Sequence, residues 1–171
     1  LSKAYLKGAL DRERLFLKPQ EFFDDQNITV HLAQQVTAID RQAQRISGDN
    51  GFALDYDKLV LATGSRPRRL DLPGRDLENI FDLRDMADVD AMAGQFQAGK
   101  KLVIIGGGYI GLEAASVARA MGLEVTVLEA APRLLARVAE PEISEFYAQL
   151  HQSHGVEIIT QCQIAGFQGS Q

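Results

Sequence analysis

Cysteine is almost absent from this chain, with Cys162 the single example in 171 residues. One thiol builds no internal disulfide framework and, alone, no zinc site. It also rules out, within this stretch, the paired C-x-x-C or C-x-x-x-x-C thiols of a dithiol redox centre. On its own terms Cys162 reads as a small buried hydrophobe on or near a strand. A basic surplus is missing too: 18 Lys and Arg stand against 23 Asp and Glu, a net charge of −5. That argues against a nucleic-acid partner, because phosphate binding needs a basic surface. No apolar run approaches the ~20 residues of a membrane span, and no secretory leader is visible. A globular, cytoplasmic protein without membrane attachment is therefore expected. The three histidines, His31, His151 and His154, fall at no metal-ligand spacing and are expected on surface helices or loops. Internal repeats and low-complexity segments are also lacking.

What is present is an ordinary globular composition, 46% hydrophobic and 24% charged, in a chain long enough for one good core or two small ones. Leu1 to Leu10 reads as a short helix with Tyr5, Leu6 and Leu10 on its apolar side. Ile28, Val30 and Leu32 alternate with polar residues as in a half-buried strand. Val36 to Asp40 and Arg45 to Ile46 read as hairpin arms, and Phe52, Leu54 and Tyr56 alternate again. Leu59 to Gly64 is continuous enough for a strand buried on both faces. Pro67, Pro73 and Gly74 punctuate a polar connection from Ser65 to Asp82. A helix is then expected from an Asp85 cap to Gly99, with Met86, Val89, Met92, Ala93 and Phe96 on one face.

The most informative segment follows. Lys101 to Ile105 reads as a buried strand, Gly106-Gly107-Gly108-Tyr109-Ile110-Gly111 as a glycine turn, and the residues after it as a helix carrying Ile110, Ala114, Val117 and Met121 and ending at Gly122. A second strand runs from Glu124 to Glu129, then a helix from about Pro141 buries Ile143, Phe146, Tyr147 and Leu150, and Val156 to Thr160 forms a third strand. Strand–helix–strand–helix–strand is the mononucleotide-binding half of a doubly wound parallel sheet, so the fold class is α/β. Gly106 allows the tight turn out of the strand, Gly108 lets backbone approach a pyrophosphate, and Gly111 lets the helix pack closely on the sheet. The helix start offers amide donors and a positive dipole end to the phosphates. Glu129 lies 18 positions beyond Gly111 (129 − 111). A carboxylate there accepts the ribose hydroxyls of NAD and repels the 2′-phosphate of NADP. Arg133, four residues later, is the counterweight: it is either a solvated loop charge or a partner for that phosphate.

Three further segments carry a resemblance to a family. Leu1-Ser2-Lys3-Ala4-Tyr5-Leu6 resembles the segment after the first nucleotide turn in FAD-dependent NADH:ferredoxin reductases. Leu61-Ala62-Thr63-Gly64 resembles their second flavin-contacting signature, and Gly106 to Glu113 their NAD turn. Glu140 to Tyr147 and His151 to Val156 continue the likeness, which covers essentially the whole chain in one order. The family includes the putidaredoxin reductase and rubredoxin reductase type and the reductase components of aromatic-ring dioxygenases. Its members have a discontinuous FAD domain, an inserted NAD domain and a C-terminal interface domain. The resemblance implies that residues 1–84 are part of the FAD domain, including a β-meander, and that residues 85–171 are an incomplete NAD domain. It implies an internal fragment, without the family's N-terminal flavin G-x-G-x-x-G and its C-terminal segments. Measurable NADH binding and no stable flavin are expected of such a piece.

The resemblance also assigns roles. Glu113 would lie by the nicotinamide, and Tyr109 and Ile110 between NAD and FAD; on their own these are a dipole-favoured carboxylate and helix-start packing. Lys3, otherwise an exposed helix residue, would place its cation near the isoalloxazine and favour the reduced ring. Val36 would contact the adenine of the flavin nucleotide through its main chain, Arg84 would reach the flavin, and Thr63 and Gly64 end a strand where an open α/β fold places ligands. Electrons would pass from NADH through FAD to an iron–sulfur ferredoxin or rubredoxin serving an oxygenase. Arg66, Arg68 and Arg69 read as a solvated loop or a docking patch for an acidic partner. Rival readings on the same scaffold are a nitrite reductase flavoprotein subunit, an NADH oxidase, or an NAD-responsive interaction protein of the apoptosis-inducing-factor kind.

Overall fold

The computed structural model describes residues 1–169. The chain forms two compact units, one made of Leu1–Leu15 and the chain from Arg66 onward, the other of Phe16–Ser65. Compactness therefore groups residues 1–15 and 66–84 with the dinucleotide half, whereas the sequence reading draws one boundary near residue 84.

The smaller unit holds helix α1 (Gln20–Asp25) and an antiparallel meander of β1 (Val36–Asp40), β2 (Arg45–Gly48) and β3 (Ala53–Asp55). The β1–β2 turn closes because the Asp40 carboxylate accepts the N–H groups of Gln42 and Ala43, each at 2.9 Å, the local turn chemistry aspartate favours. Arg45 faces Asp55 across β2 and β3, Nε to Oδ1 at 2.6 Å and the second nitrogen to Oδ2 at 3.1 Å. Two expected strands are missing. Residues 28–32 lie between Asn27 and Ala33, both with φ of 54°, and join no ladder. Residues 59–64 are also outside any strand, with Val60 84% and Leu61 67% exposed. Apolar character suits a central strand only where neighbours supply hydrogen bonds on both edges, and no described segment pairs there.

The larger unit contains α2 (Met86–Ala93), β4 (Lys101–Ile105), α3 (Tyr109–Ala120), β5 (Glu124–Leu128), α4 (Pro141–Ser153) and β6 (Val156–Ile159). The three strands are parallel in the order β4-β5-β6, with Ile105, Leu128 and Ile159 in register at their carboxyl ends. Ala115 and Ala118 of α3 are fully buried against Val125 and Val127, so small side chains let helix and sheet approach closely. Leu112, Leu123, Leu134, Leu135 and Val156 complete that core. A second cluster of Leu6, Val89, Met92 and Val117 joins α2 to α3. The Asp85 cap is as expected, in a reciprocal arrangement with Asp88, each side chain accepting the other's N–H at 3.0 Å.

Several local expectations differ. Leu1 to Leu10 forms successive turns rather than a helix, although Leu6 is buried as the pattern implies. Helix α2 ends at Ala93, because the chain turns at Gly94 and leaves Phe96 to pack from beyond it. On α4 the buried positions are Ser144 and His151, while Ile143, Phe146 and Leu150 face outward. Helical spacing marks an apolar stripe but not which stripe the sheet covers. His151 is correspondingly a core residue stacked on Tyr147, at 6.4 Å between ring centroids, and not a surface one. Cys162 is a free, half-buried thiol just past β6. Among the described residues no cluster of His, Cys, Asp and Glu could hold a metal ion, and no helix is long and apolar enough to cross a membrane.

Candidate functional site

The carboxyl end of a parallel strand in an open α/β sheet is where such folds bind ligands, and the glycine turn occupies that position after β4. Gly106 adopts φ of 111°, a conformation reserved for glycine, and its N–H bonds to the Leu128 carbonyl at 2.8 Å. A Cβ on Gly111 would sit 2.1 Å from the Gly106 carbonyl oxygen, so glycine is what lets α3 start against the strand. A Cβ on Gly108 would meet nothing within 4 Å, and no side chain caps the helix there. The first amides of α3 thus carry no side-chain cap and the backbone at Gly108 has room beside it, an arrangement suited to an anionic pyrophosphate.

Gly107 has another duty. It is buried, and its N–H donates to Glu129 Oε2 at 2.7 Å. The other carboxylate oxygen, Oε1, accepts the Ala131 N–H at 2.8 Å. Glu129 therefore ties the turn after β4 to the loop after β5. A carboxylate has about four acceptor sites, so each oxygen keeps capacity for a ribose hydroxyl. The loop reinforces the tie: the Leu135 N–H bonds to the Gly107 carbonyl at 2.9 Å, and a Cβ on Gly107 would lie 2.4 Å from Leu134 Cδ2. The turn is held from both sides before any ligand arrives.

Glu113 is the fifth residue of α3, one position past the first turn in which a dipole-favoured carboxylate is expected. Its partners come from the opposite end of the chain. Ser2 Oγ donates to Glu113 Oε2 at 2.5 Å, and Lys3 Nζ lies 3.1 Å from Oε1. The Ser2 hydrogen bond is the main reason the Glu113 carboxyl titrates below its ordinary value; burial opposes this and the Lys3 charge adds to it. The two residues singled out for electron-transfer roles, Lys3 and Glu113, are thus one ion pair. Tyr109 and Ile110 begin α3 with exposed side chains. Ser2 lies inside the quoted Leu1–Leu6 motif, and a hydroxyl beside a lysine was the available signal for it. Nothing local in the sequence pointed to Leu134 or Ala131.

The remaining flavin-side positions are placed individually. Val36 opens β1 and is exposed, next to an irregularity in register with β2 between Val36 and Ala38. Thr63 and Gly64 are exposed in the irregular segment before Ser65, Gly64 with φ of 69°. All three belong to the smaller unit. The Arg84 N–H donates to Asp88 Oδ2 at 2.7 Å, fixing its backbone at the start of α2. Arg69 of the basic patch pairs with Asp82 at 3.4 Å.

Comparison with known proteins gives a consistent picture. Residues 1–171 match the family model of the pyridine nucleotide-disulphide oxidoreductases. The chain is 44% identical over 173 residues to putidaredoxin reductase of Pseudomonas putida, covering 99% of this chain and 41% of that protein. It is 35% identical over 169 residues to a rubredoxin-NAD(+) reductase of the same species, covering 99% and 44%. Among solved structures, the covalent putidaredoxin reductase–putidaredoxin complex superposes with a TM-score of 0.92 at 44% identity, over 99% of this chain and 41% of that one. The chain spans about two fifths of the length of these relatives.

Proposed function

Because the chain belongs to the pyridine nucleotide-disulphide oxidoreductase family, we propose that it forms the NADH-binding part, and some of the FAD-binding part, of a reductase that delivers electrons to a ferredoxin or rubredoxin. On this reading residues 1–84 belong to the FAD domain and residues 85–171 to the NAD domain. The carrying observation is the Glu129 carboxylate, anchored by the Gly107 and Ala131 amides beside a glycine turn whose Gly108 faces open space.

The residues fit the nucleotide. The first amides of α3 receive the pyrophosphate, and Glu129 accepts the adenosine ribose hydroxyls with the acceptor capacity its two backbone bonds leave. A 2′-phosphate at that place would meet the same carboxylate and be repelled. Tyr109 and Ile110, exposed at the helix start, line the path toward the nicotinamide. A flavin held on this chain would supply two-electron acceptance from NADH and one-electron release to an iron–sulfur partner. The flavin side is supported by the Lys3–Glu113 pair, where the ammonium places positive charge and Glu113, kept ionised chiefly by Ser2, fixes where that charge sits. Val36, Thr63, Gly64 and Arg84 are the further flavin contacts of this proposal. The acceptor is an iron–sulfur protein of the kind named for the relatives, and the enzyme works in the cytoplasm.

The test is a fluorescence titration of the 171-residue chain with NADH and with NADPH. NADH binds, and NADPH binds at least about tenfold more weakly, as expected where a carboxylate is forced against a phosphate. Glu129→Gln narrows that gap. Equal or tighter binding of NADPH by the unaltered chain overturns the proposal.

A further inference from the structure

Arg133 stands where a 2′-phosphate ligand would be expected, yet its guanidinium is already engaged. It donates to the Ala139 carbonyl at 2.7 Å, to Ser144 Oγ at 2.6 Å and to the Ala136 carbonyl at 3.3 Å. Ser144, 2% exposed, passes the chain on by donating to the Glu140 carbonyl at 3.2 Å. Every one of these partners lies in the loop between β5 and α4 or in the first turn of α4. The guanidinium therefore closes the loop on itself and pins it to the helix.

What the loop carries explains why it needs a clasp. Leu134 is 1% exposed and rests on Gly107, and Leu135 donates to the Gly107 carbonyl. Leu135 does this with φ of 53°, a left-handed conformation that is unfavourable for a non-glycine residue and persists only where surroundings hold it. Near its start the loop also carries Ala131, whose N–H orients Glu129. Release of the clasp would relax Leu135, and with it both the turn and the ribose-binding carboxylate.

We propose that Arg133 is a positioning residue for the adenosine end of the dinucleotide site, and that it takes no part in binding a 2′-phosphate. The guanidinium offers five donors in a fixed fork, and turning that fork toward a ligand would strip the Ala139 and Ala136 carbonyls and Ser144 of their donor. The inference rests on the NADH reading above and adds a rule for it: discrimination against NADPH comes from Glu129 without a compensating cation at residue 133.

The experiment measures dissociation constants of the 171-residue chain for NADH, NADPH, ADP-ribose and reduced nicotinamide mononucleotide, together with thermal midpoints. Arg133→Gln weakens NADH and ADP-ribose by the same factor, about tenfold if charge-assisted hydrogen bonds of ordinary strength are lost. It leaves the mononucleotide unchanged and weakens NADPH no more than NADH. Arg133→Lys keeps the charge without the fork and does not restore NADH affinity. Ser144→Ala removes one acceptor and one donor from the clasp, and it weakens NADH by about threefold in the same pattern. It decides the matter if Arg133→Gln does not fold. Selective loss of NADPH with NADH intact would make Arg133 a phosphate ligand and overturn the proposal, as would unchanged affinities in all variants. Failure of the unaltered chain to bind NADH strikes the functional reading instead.

Discussion

Replacing Gly111 by alanine puts a methyl group where the backbone has no room. The added Cβ would lie 2.1 Å from the Gly106 carbonyl oxygen and 3.3 Å from Ile104 Cγ2. An ordinary contact is about 3.4 Å or more, so the start of α3 must retreat from β4 by roughly 1 Å. Overpacking of this kind costs about 1–3 kcal/mol, and the obstacle is a backbone oxygen rather than a flexible side chain, which favours the upper part of that range. Alanine recovers about 1 kcal/mol of helix propensity. The net loss is about 2 kcal/mol, or a fall of about 4–8 °C in thermal midpoint for a chain of this size. Displacing the amide donors by ~1 Å also weakens NADH, by a factor of up to about 100 if misplacement acts here as it does in other preorganised sites. Gly108→Ala is the control. Its Cβ meets no protein atom within 4 Å and its φ is −84°, so the thermal midpoint falls less than for Gly111→Ala, by no more than the loss of a glycine N-cap, while NADH affinity drops because the methyl occupies the space meant for phosphate. Calorimetry and NADH titration of the two variants give the result. If Gly111→Ala binds NADH normally and melts with the unaltered chain, or if Gly108→Ala loses more stability than Gly111→Ala, the division of labour between these glycines is wrong.

Two further predictions concern titration. Ser2→Ala raises the Glu113 pKa back toward its ordinary value, because the Ser2 hydroxyl is the largest cause of its depression. A depressed carboxylate contributes stability that is present above the unfolded pKa and lost as pH falls through the folded one, so Ser2→Ala also flattens the acid limb of stability. Carbon-detected NMR of the Glu113 carboxyl reads the shift, and an unchanged titration defeats the assignment. His151 is held below its ordinary pKa first by burial and then by the nearby His154 charge. Its neutral form stabilises the fold above the unfolded pKa of about 6.5, and that contribution disappears as pH drops through the lower folded value. Thermal midpoints between pH 7.5 and 5.5 should therefore fall more steeply for the unaltered chain than for His151→Gln; parallel slopes would count against it.

The parallel half of the fold was legible because its signals are local and agree with one another. Lys101 to Ile105, the glycine turn, a helix ended by Gly122 and a strand ending at Leu128 each sit within one or two residues of expectation. The meander was equally readable from alternation around Arg41 and from the turn cluster before Phe52. Residues 59–64 show where such reading stops. Apolar content states that a segment favours burial, but a strand also needs partners for its N–H and C=O groups, and those partners are a property of the whole fold. The outward-facing Ile143, Phe146 and Leu150 make the same point on α4. Hydrophobic spacing gives the period of the helix, while the small buried Ser144 and His151 mark the side that meets the sheet.

At the site, the sequence identified chemistry better than connectivity. Glycines at 106, 108 and 111 have geometrical reasons visible in a φ of 111°, an empty approach and a 2.1 Å clash. Lys3 and Glu113, 110 positions apart (113 − 3), meet as an ion pair that no spacing rule could have announced. Glu129 and Arg133 are the sharper case, because their charges suit opposing ligands, a ribose and a phosphate. In the folded chain they are neighbours in one scaffold, the carboxylate holding Gly107 and Ala131 while the guanidinium holds Ala136, Ala139 and Ser144. Charge alone suggests what each could bind. The bonds already made fix where each group is held: Glu129 against the Gly107 and Ala131 amides, Arg133 against its own loop and the start of α4.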